Sequence, residues 1–148
     1  MTEDQSSVAS KEKEKIPDFD IVLSVLISSF AEYGIGIGVT LNVKGLIISG
    51  ELISREKYFK GIIQETERAN GDSEMIKIVT DTFTTMDKII KDKLSEKEKK
   101  PFPNYIHLKN ARFFPGGNCT PNNKGVLWRG RLSEVDGFSI GNLSPQTK

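Results

Sequence analysis

The hydrophobic pattern first becomes regular in DFDIVLSVLISSFAEY, residues 18–33, where apolar residues recur at the spacing of an α-helix. Asp18 is the predicted N-cap, and Asp20 suits the positive end of the helix dipole. Because apolar residues surround most of this helix, we expect it to be buried in the core or shared with a partner. It is too short to span a membrane. The apolar positions are Phe19, Ile21, Val22, Leu23, Val25, Leu26, Ile27, Phe30 and Tyr33.

A period of two follows in residues 35–43, where apolar residues alternate with small and polar ones, and this pattern predicts a β-strand. The glycines of GIGIG, residues 34–38, do not fit a dinucleotide-binding turn, which lies between a strand and the helix after it. They begin a strand instead, so we expect them to let another segment approach it closely. Lys44 and Gly45 predict a tight turn into a returning strand at residues 46–54.

Two further helices are predicted at residues 55–69 and 74–95, with Asp72 or Ser73 as the cap of the second. The second helix has an apolar seam and a polar opposite face. We expect the seam to dock on the sheet, and a coiled-coil contact is the alternative. The seam consists of Met75, Val79, Met86, Ile90 and Leu94, with Ile78, Phe83 and Ile89 beside it.

The last third of the chain is strand-like and aromatic. Residues 105–114 and 125–141 have the strand pattern, and residues 115–124 between them have the composition of a loop. Gly130 within the second run predicts a bulge or a sharp bend. The chain length fits one domain, which we place at residues 18–143.

Charge and cysteine content narrow the function classes. The net charge is +1, which argues against a purely electrostatic nucleic-acid binder. Residues 105–148 carry six basic and two acidic residues, whereas residues 1–104 carry three more acidic than basic ones. This asymmetry is either surface scatter or a source of attraction between copies. The single cysteine, Cys119, and the lack of an apolar signal core in residues 1–15 predict a cytoplasmic protein.

The residues offer no recognisable catalytic, cofactor-binding or metal-ligating pattern, so we expect a non-enzymatic protein without a cofactor. His107 is the only histidine and lies in an alternating strand, which is typical of a surface or hydrogen-bonded residue. Cys119 has no second histidine-type base to activate it. No zinc spacing, P-loop or calcium loop occurs.

A basic and aromatic cluster in the last third is the candidate protein-interaction site, because tryptophan and arginine concentrate binding energy at interfaces. The alternative is that Trp128 and its neighbours fill the core. The candidate residues are Phe113, Phe114, Trp128, Arg129, Arg131 and Phe138.

Two blocks of the sequence resemble a known family. GVTLNVKGLIISGELISREKYF and YIHLKNARFFPGG with GVLWRGRLSEVDGFSIG are similar to those of the gas vesicle accessory protein U family, over roughly residues 19 to 143. The resemblance implies a cytoplasmic protein that acts with the gas vesicle, a hollow shell of small hydrophobic proteins. It implies no cofactor and no catalytic residues.

The order of elements is also similar to that of an Sm-like small barrel, in which an Arg-Gly pair near the end helps to hold RNA. Arg129 and Gly130 match that pair, but the loop SREKYFKG lacks the Asp/Asn pair of the earlier site. The predicted fold is therefore α+β: a small bent antiparallel sheet or an Sm-like or SH3-like barrel, with an N-terminal helix and helices inserted at about 55–95. We expect a disordered charged tail at residues 1–17 and a frayed tail at 144–148.

The predicted function is that of a gas vesicle accessory protein which self-associates and contacts the shell or other gas vesicle proteins. A chaperone-like assembly factor for shell subunits is the alternative. An Sm-like RNA-binding module is third, because the charge is nearly neutral and the loop residues are missing.

Overall fold

A computed structural model of the chain describes residues 16–69, 71–97 and 101–143. The predicted tails at 1–17 and 144–148 lie outside these ranges, apart from Ile16 and Pro17. In chain order, the elements are α1 (Ile21–Tyr33), β1 (Ile37–Val43), β2 (Leu46–Ile53), α2 (Arg55–Arg68), α3 (Ser73–Ser95), β3 (Tyr105–Phe114), β4 (Val126–Arg131), a short 3-10 helix (Leu132–Glu134) and β5 (Gly137–Ile140).

The five strands form one antiparallel sheet in the order β4-β3-β2-β1-β5. Strands β4 and β5 lie at opposite edges and do not pair with each other, so the described residues form an open sheet and not a barrel. The chain after β5 turns over the sheet instead of extending it. There the Leu143 N–H donates to Ser49 Oγ at 2.8 Å, and Thr40 Oγ1 donates to the Gly141 carbonyl at 2.8 Å.

One face of the sheet carries the hydrophobic core. Cross-strand register places Leu52 beside Leu108 and Leu108 beside Trp128, and side chains in register share a face. Helix α1 covers this face with Leu23 and Ile27, which are both buried. The rest of the buried cluster consists of Val39, Leu41, Ile48, Leu52, Ile106, Leu108, Ala111, Leu132 and Val135.

Helix α2 covers the β3–β4 side of the opposite face. Its Tyr58 ring lies 4.9 Å from the ring of His107, which points away from the core face because it alternates with Leu108. Helix α3 packs on α2, with the rings of Phe59 and Phe83 at 5.3 Å in an edge-on arrangement. The prediction that α3 docks on the sheet is therefore wrong, because α2 occupies that position.

The helix ends follow from capping chemistry. Asp20, and not the predicted Asp18, is the N-cap of α1, since its side chain accepts from the Val22 N–H at 2.8 Å. Gly34 ends α1 in the left-handed conformation at φ 64°, where its N–H donates to the Phe30 carbonyl. Asp72 caps α3 as predicted.

The β1–β2 turn and a bulge in β3 both depend on residues with positive φ. Lys44 and Gly45 both have positive φ, 53° and 87°, as the predicted tight hairpin turn requires. The bulge, predicted at Gly130, lies instead in β3 near Asn110, which also has φ 53°. Gly130 pairs regularly with Ile106, and its missing side chain leaves room for the Trp128 ring.

Candidate protein-interaction site

Three of the six predicted interaction residues lie on the core face. Phe113, Trp128 and Phe138 are partly buried and pack against the core cluster. Phe113 pairs with Ile48, while Phe138 pairs with Leu41 at the other side of the sheet. This placement supports the alternative in which these aromatic residues fill the core.

The other three predicted residues, Phe114, Arg129 and Arg131, alternate to the opposite face. Phe114 is partly buried at the far end of β3, whereas Arg129 and Arg131 are exposed neighbours on β4. The structure therefore brings the two arginines together on one edge strand. It does not join all six residues into one surface, because β5 with Phe138 forms the other edge.

Arg129 is held in a fixed orientation by two neighbours on β3. Its Nε donates to His107 Nε2 at 3.1 Å, and its guanidinium carbon lies 3.6 Å from the centre of the Tyr105 ring. A guanidinium stacked on an aromatic ring in this way gains cation–π attraction. Arg129 is thus positioned before any partner arrives.

His107 serves as the acceptor that orients Arg129. The histidine is 5% exposed, and burial lowers its pKa to about 4, with smaller contributions from the positive charges of Arg129 and Arg55. The ring is therefore neutral at neutral pH. Because Nε2 accepts the hydrogen bond from Arg129, the ring proton resides on Nδ1.

These side chains form the floor of a groove, here called the end groove, at the end of the sheet where β2 and β4 finish and β3 begins. Its volume is about 460 Å³, and a second hollow of about 600 Å³ adjoins it. Its walls come from α1, from the C-terminal part of α3 and from residues 101–104. The lining residues are Ile27, Ser28, Ala31, Ile53, Ser54, Arg55, Ile90, Leu94, Lys97, Pro101, Phe102, Pro103, Asn104, Tyr105, His107 and Arg129.

A second cation, Arg55, lies in the same groove. Its Nη2 contacts Asp87 Oδ1 of α3 at 3.2 Å, and its side chain is 19% exposed. Its Nε is buried and has no hydrogen-bond partner within the described ranges. An unpaired buried donor is costly, and an acceptor from outside cannot reach a nitrogen that is shielded from solvent. The end groove therefore combines apolar walls with a positive floor.

Helix α1 presents a second feature, which we call the α1 outer face, and its Val25 also lines the hollow that adjoins the end groove. The face consists of Ile21, Val22, Val25 and Tyr33, whose side chains share one side of the helix and are 48%, 62%, 50% and 75% exposed. The opposite side of α1 is buried in the core, so apolar side chains lie on both sides of the helix, and the exposed Ser28 interrupts the α1 outer face between Val25 and Tyr33. The sequence predicts that α1 is either buried in the core or shared with a partner. The structure buries one side of the helix and leaves the other side exposed.

Comparison with known families decides the class of protein. Residues 20–143 match the family described as gas vesicle protein GvpU-like. The chain belongs to the GvpU-like gas vesicle protein family. The predicted family is thus confirmed, and the protein is related to gas vesicles. Comparisons with curated proteins and with solved structures found no match.

Metal-binding clusters and membrane-spanning helices are two other kinds of feature that this GvpU-like chain could carry. Over residues 16–69, 71–97 and 101–143, no three His, Cys, Asp or Glu side chains are grouped so as to hold a metal ion. Over the same ranges, no helix combines the length and the apolar character needed to cross a membrane.

The sequence of this GvpU-like chain names Arg129 as a candidate but does not indicate the residues around it. Tyr105 and His107 are more than twenty residues away in sequence, and the hairpin of β3 and β4 joins them to Arg129. Arg55 comes from the start of α2 and Phe102 from the segment before β3. The one available signal was alternation: His107 and Arg129 both point away from the apolar face of their strands.

Proposed function

We propose that this protein is a non-enzymatic gas vesicle accessory protein of the cytoplasm. Its copies self-associate and bind the vesicle shell, so that they organise or cluster gas vesicles. The observation that carries the proposal is the α1 outer face, where an apolar helix side is exposed to solvent.

The α1 outer face supports shell binding on physical grounds. Leaving apolar area in water costs about 25 cal/mol per Å², so a contiguous exposed apolar patch marks an interaction surface. Three of its four side chains, Ile21, Val22 and Val25, lie within one and a half turns of α1. The resemblance to the family implies a shell of small hydrophobic proteins, and an apolar patch on that shell would match the α1 outer face.

Self-association makes weak shell contacts effective. An oligomer that carries several α1 outer faces binds a shell through many sites at once, and each further contact benefits from high effective concentration. An oligomer can also contact two shells, which brings vesicles together. The cations of the end groove and the acidic character of residues 1–104 support attraction between copies.

Flotation of intact gas vesicles tests shell binding. Labelled protein is mixed with stripped vesicles, the vesicles are allowed to rise, and the buoyant layer is assayed and imaged for clumps. We expect the native protein in the layer, with clumping. Val22→Glu should lower the bound fraction at least tenfold, because it puts a charge on the α1 outer face.

Ile140→Glu is the matched control, since Ile140 is 55% exposed on β5 and lies outside both the end groove and the α1 outer face. This variant should float like the native protein. Equal loss of binding in both variants would show a general effect of charge. Native protein that stays in the liquid would contradict shell binding.

The same exposed helix favours a second candidate, a chaperone-like factor that covers shell subunits before they assemble. Such a factor prefers the unassembled subunit, whereas an organising protein prefers the finished shell. Competition between detergent-free shell subunits and intact vesicles for labelled protein separates the two functions.

A further inference from the structure

Helix α3 carries two carboxylates and two apolar side chains on the side that faces away from α2, and Lys77 lies beside both carboxylates at helical spacing. Met75 and Ile78 are 55% and 59% exposed, and Glu74 and Asp81 flank them at helical spacing. Neither carboxylate forms an ion pair within the described ranges. We call these four residues the α3 outer stripe.

The end groove has the complementary chemistry. Arg129 donates through Nε to His107 and stacks on Tyr105, so its terminal nitrogens remain for an acceptor from outside. No carboxylate among the described residues lies within ion-pair distance of it. A guanidinium fixed in advance loses little freedom when it binds a carboxylate in a two-point contact.

The walls of the end groove match the apolar part of the stripe. Phe102 is 49% exposed and Leu94 is 40% exposed, although both line the groove. Ile90 completes this wall from α3. A helix that places Met75 and Ile78 against these side chains would remove apolar surface from water on both partners.

The two surfaces cannot meet within one molecule. Ile78 and Ile90 are both on α3, and twelve residues of α-helix separate them by about 18 Å. The stripe lies towards the N-terminal end of α3, and the groove wall lies at the C-terminal end. A contact between them must therefore join two copies, and unlike surfaces joined in this way build open chains or closed rings.

We propose that copies of this protein associate head to tail, with the α3 outer stripe of one copy in the end groove of the next. A carboxylate of the stripe, from Glu74 or Asp81, pairs with Arg129 of the next copy. This inference rests on the self-association in the proposed function and names the surfaces that produce it.

Sedimentation velocity of the full chain over a range of concentrations tests the contact. Native protein should form concentration-dependent oligomers that weaken as salt rises, because the contact includes an ion pair. Arg129→Glu and Ile78→Glu should each raise the apparent dissociation constant at least tenfold. Lys124→Glu, which reverses an exposed cation in the loop before β4 and outside the end groove, is the control and should assemble like the native protein.

Mixing the two defective variants is the decisive step. Arg129→Glu retains a working stripe and Ile78→Glu retains a working groove, so the mixture should form one-to-one dimers and nothing longer. A mixture that stays monomeric, or that forms longer chains, would overturn the head-to-tail arrangement. If Arg129→Glu does not fold by circular dichroism, Phe102→Lys replaces it as the groove variant.

The outcomes also separate this inference from the proposed function. Native protein that remains monomeric at every concentration would remove self-association and the inference together. Native protein that assembles, with both single variants unaffected, would overturn only the inference. In that case vesicle flotation of Arg129→Glu would show whether the end groove receives the shell instead.

Discussion

The two ends of the sheet differ in how many of their charged and backbone groups are paired within the molecule. At the β1–β2 turn, the Gly45 N–H donates to Asn42 Oδ1 and the Lys44 N–H donates to Asp136 Oδ2, at 2.9 and 2.7 Å. The Lys44 ammonium lies near Asp136 and Glu134, which raise its pKa. At the end groove, Arg129 has no carboxylate partner among the described residues, and Phe102 is half exposed.

This difference supports the proposal that the groove end, and not the turn end, receives a partner. The turn end pairs its charges and backbone groups internally. The groove end fixes a guanidinium in place and leaves apolar side chains around it in water. Folding alone gives no reason for the second arrangement, whereas binding does.

The largest expected effect concerns the sheet that both ends share. Trp128→Ala should lower the free energy of unfolding by about 3 kcal/mol, because the ring packs on the core and its removal leaves a cavity. Trp128→Phe should lose less, since it retains part of the packing. Urea denaturation followed by circular dichroism measures both. A fully stable Trp128→Ala that fails to bind vesicles would instead assign Trp128 to an interface.

His107 gives the groove end a dependence on pH in the acidic range. Its pKa is about 4 in the folded protein and near 6.5 in the unfolded chain. Above pH 6.5 the His107 ring is neutral in both the folded and the unfolded chain. As pH falls from 6.5 to 4, only the unfolded chain binds the proton, so the native protein should lose about 3 kcal/mol of stability.

The control for this pH dependence is His107→Gln, which retains an acceptor for Arg129 but does not titrate. Carboxylates contribute equally to the pH dependence of stability in both proteins. The loss of stability between pH 7 and pH 4 in the native protein, minus the loss in His107→Gln, therefore isolates the contribution of the histidine. Parallel curves for the two proteins would show that His107 is not held neutral by its surroundings.

The smallest expected effect tests the turn end. Gly45→Ala should lower stability by about 1 to 2 kcal/mol, because a side chain is strained at φ 87°. Binding to vesicles should not change. Gly137→Ala is the control, since Gly137 has no positive φ and open space where a side chain would point. A binding defect in Gly45→Ala would contradict the separation of the two ends.

Local chemistry made the turn end predictable from the sequence. Lys44-Gly45 between two alternating runs implies a hairpin, and Asp72 before a periodic segment implies a helix start. The sequence predicts the cap of the first helix at Asp18, two residues early, because Asp18 and Asp20 are both aspartates that precede the apolar run. Only the backbone geometry distinguishes them.

The groove end was not predictable because it depends on contacts between distant segments. The pairing of His107 with Arg129 needs the β3–β4 register, which the bulge near Asn110 shifts. The position of α3 on α2 depends on the contact of Phe59 with Phe83, 24 residues apart. The sequence located the basic and aromatic region, but it could not separate Trp128, packed on the core, from Arg129 in the groove.

Hydroxyl-radical footprinting of the protein, free and bound to intact vesicles, is the most direct test of the claim that the groove end and the α1 outer face are the binding surfaces. With the free protein kept dilute enough to be monomeric, Phe102 should lose labelling on the vesicles through contact between copies and Val22 through contact with the shell, whereas Leu46 at the turn end, 37% exposed, should be labelled equally in both states. Protection of Leu46, with Phe102 and Val22 unchanged, would contradict the account.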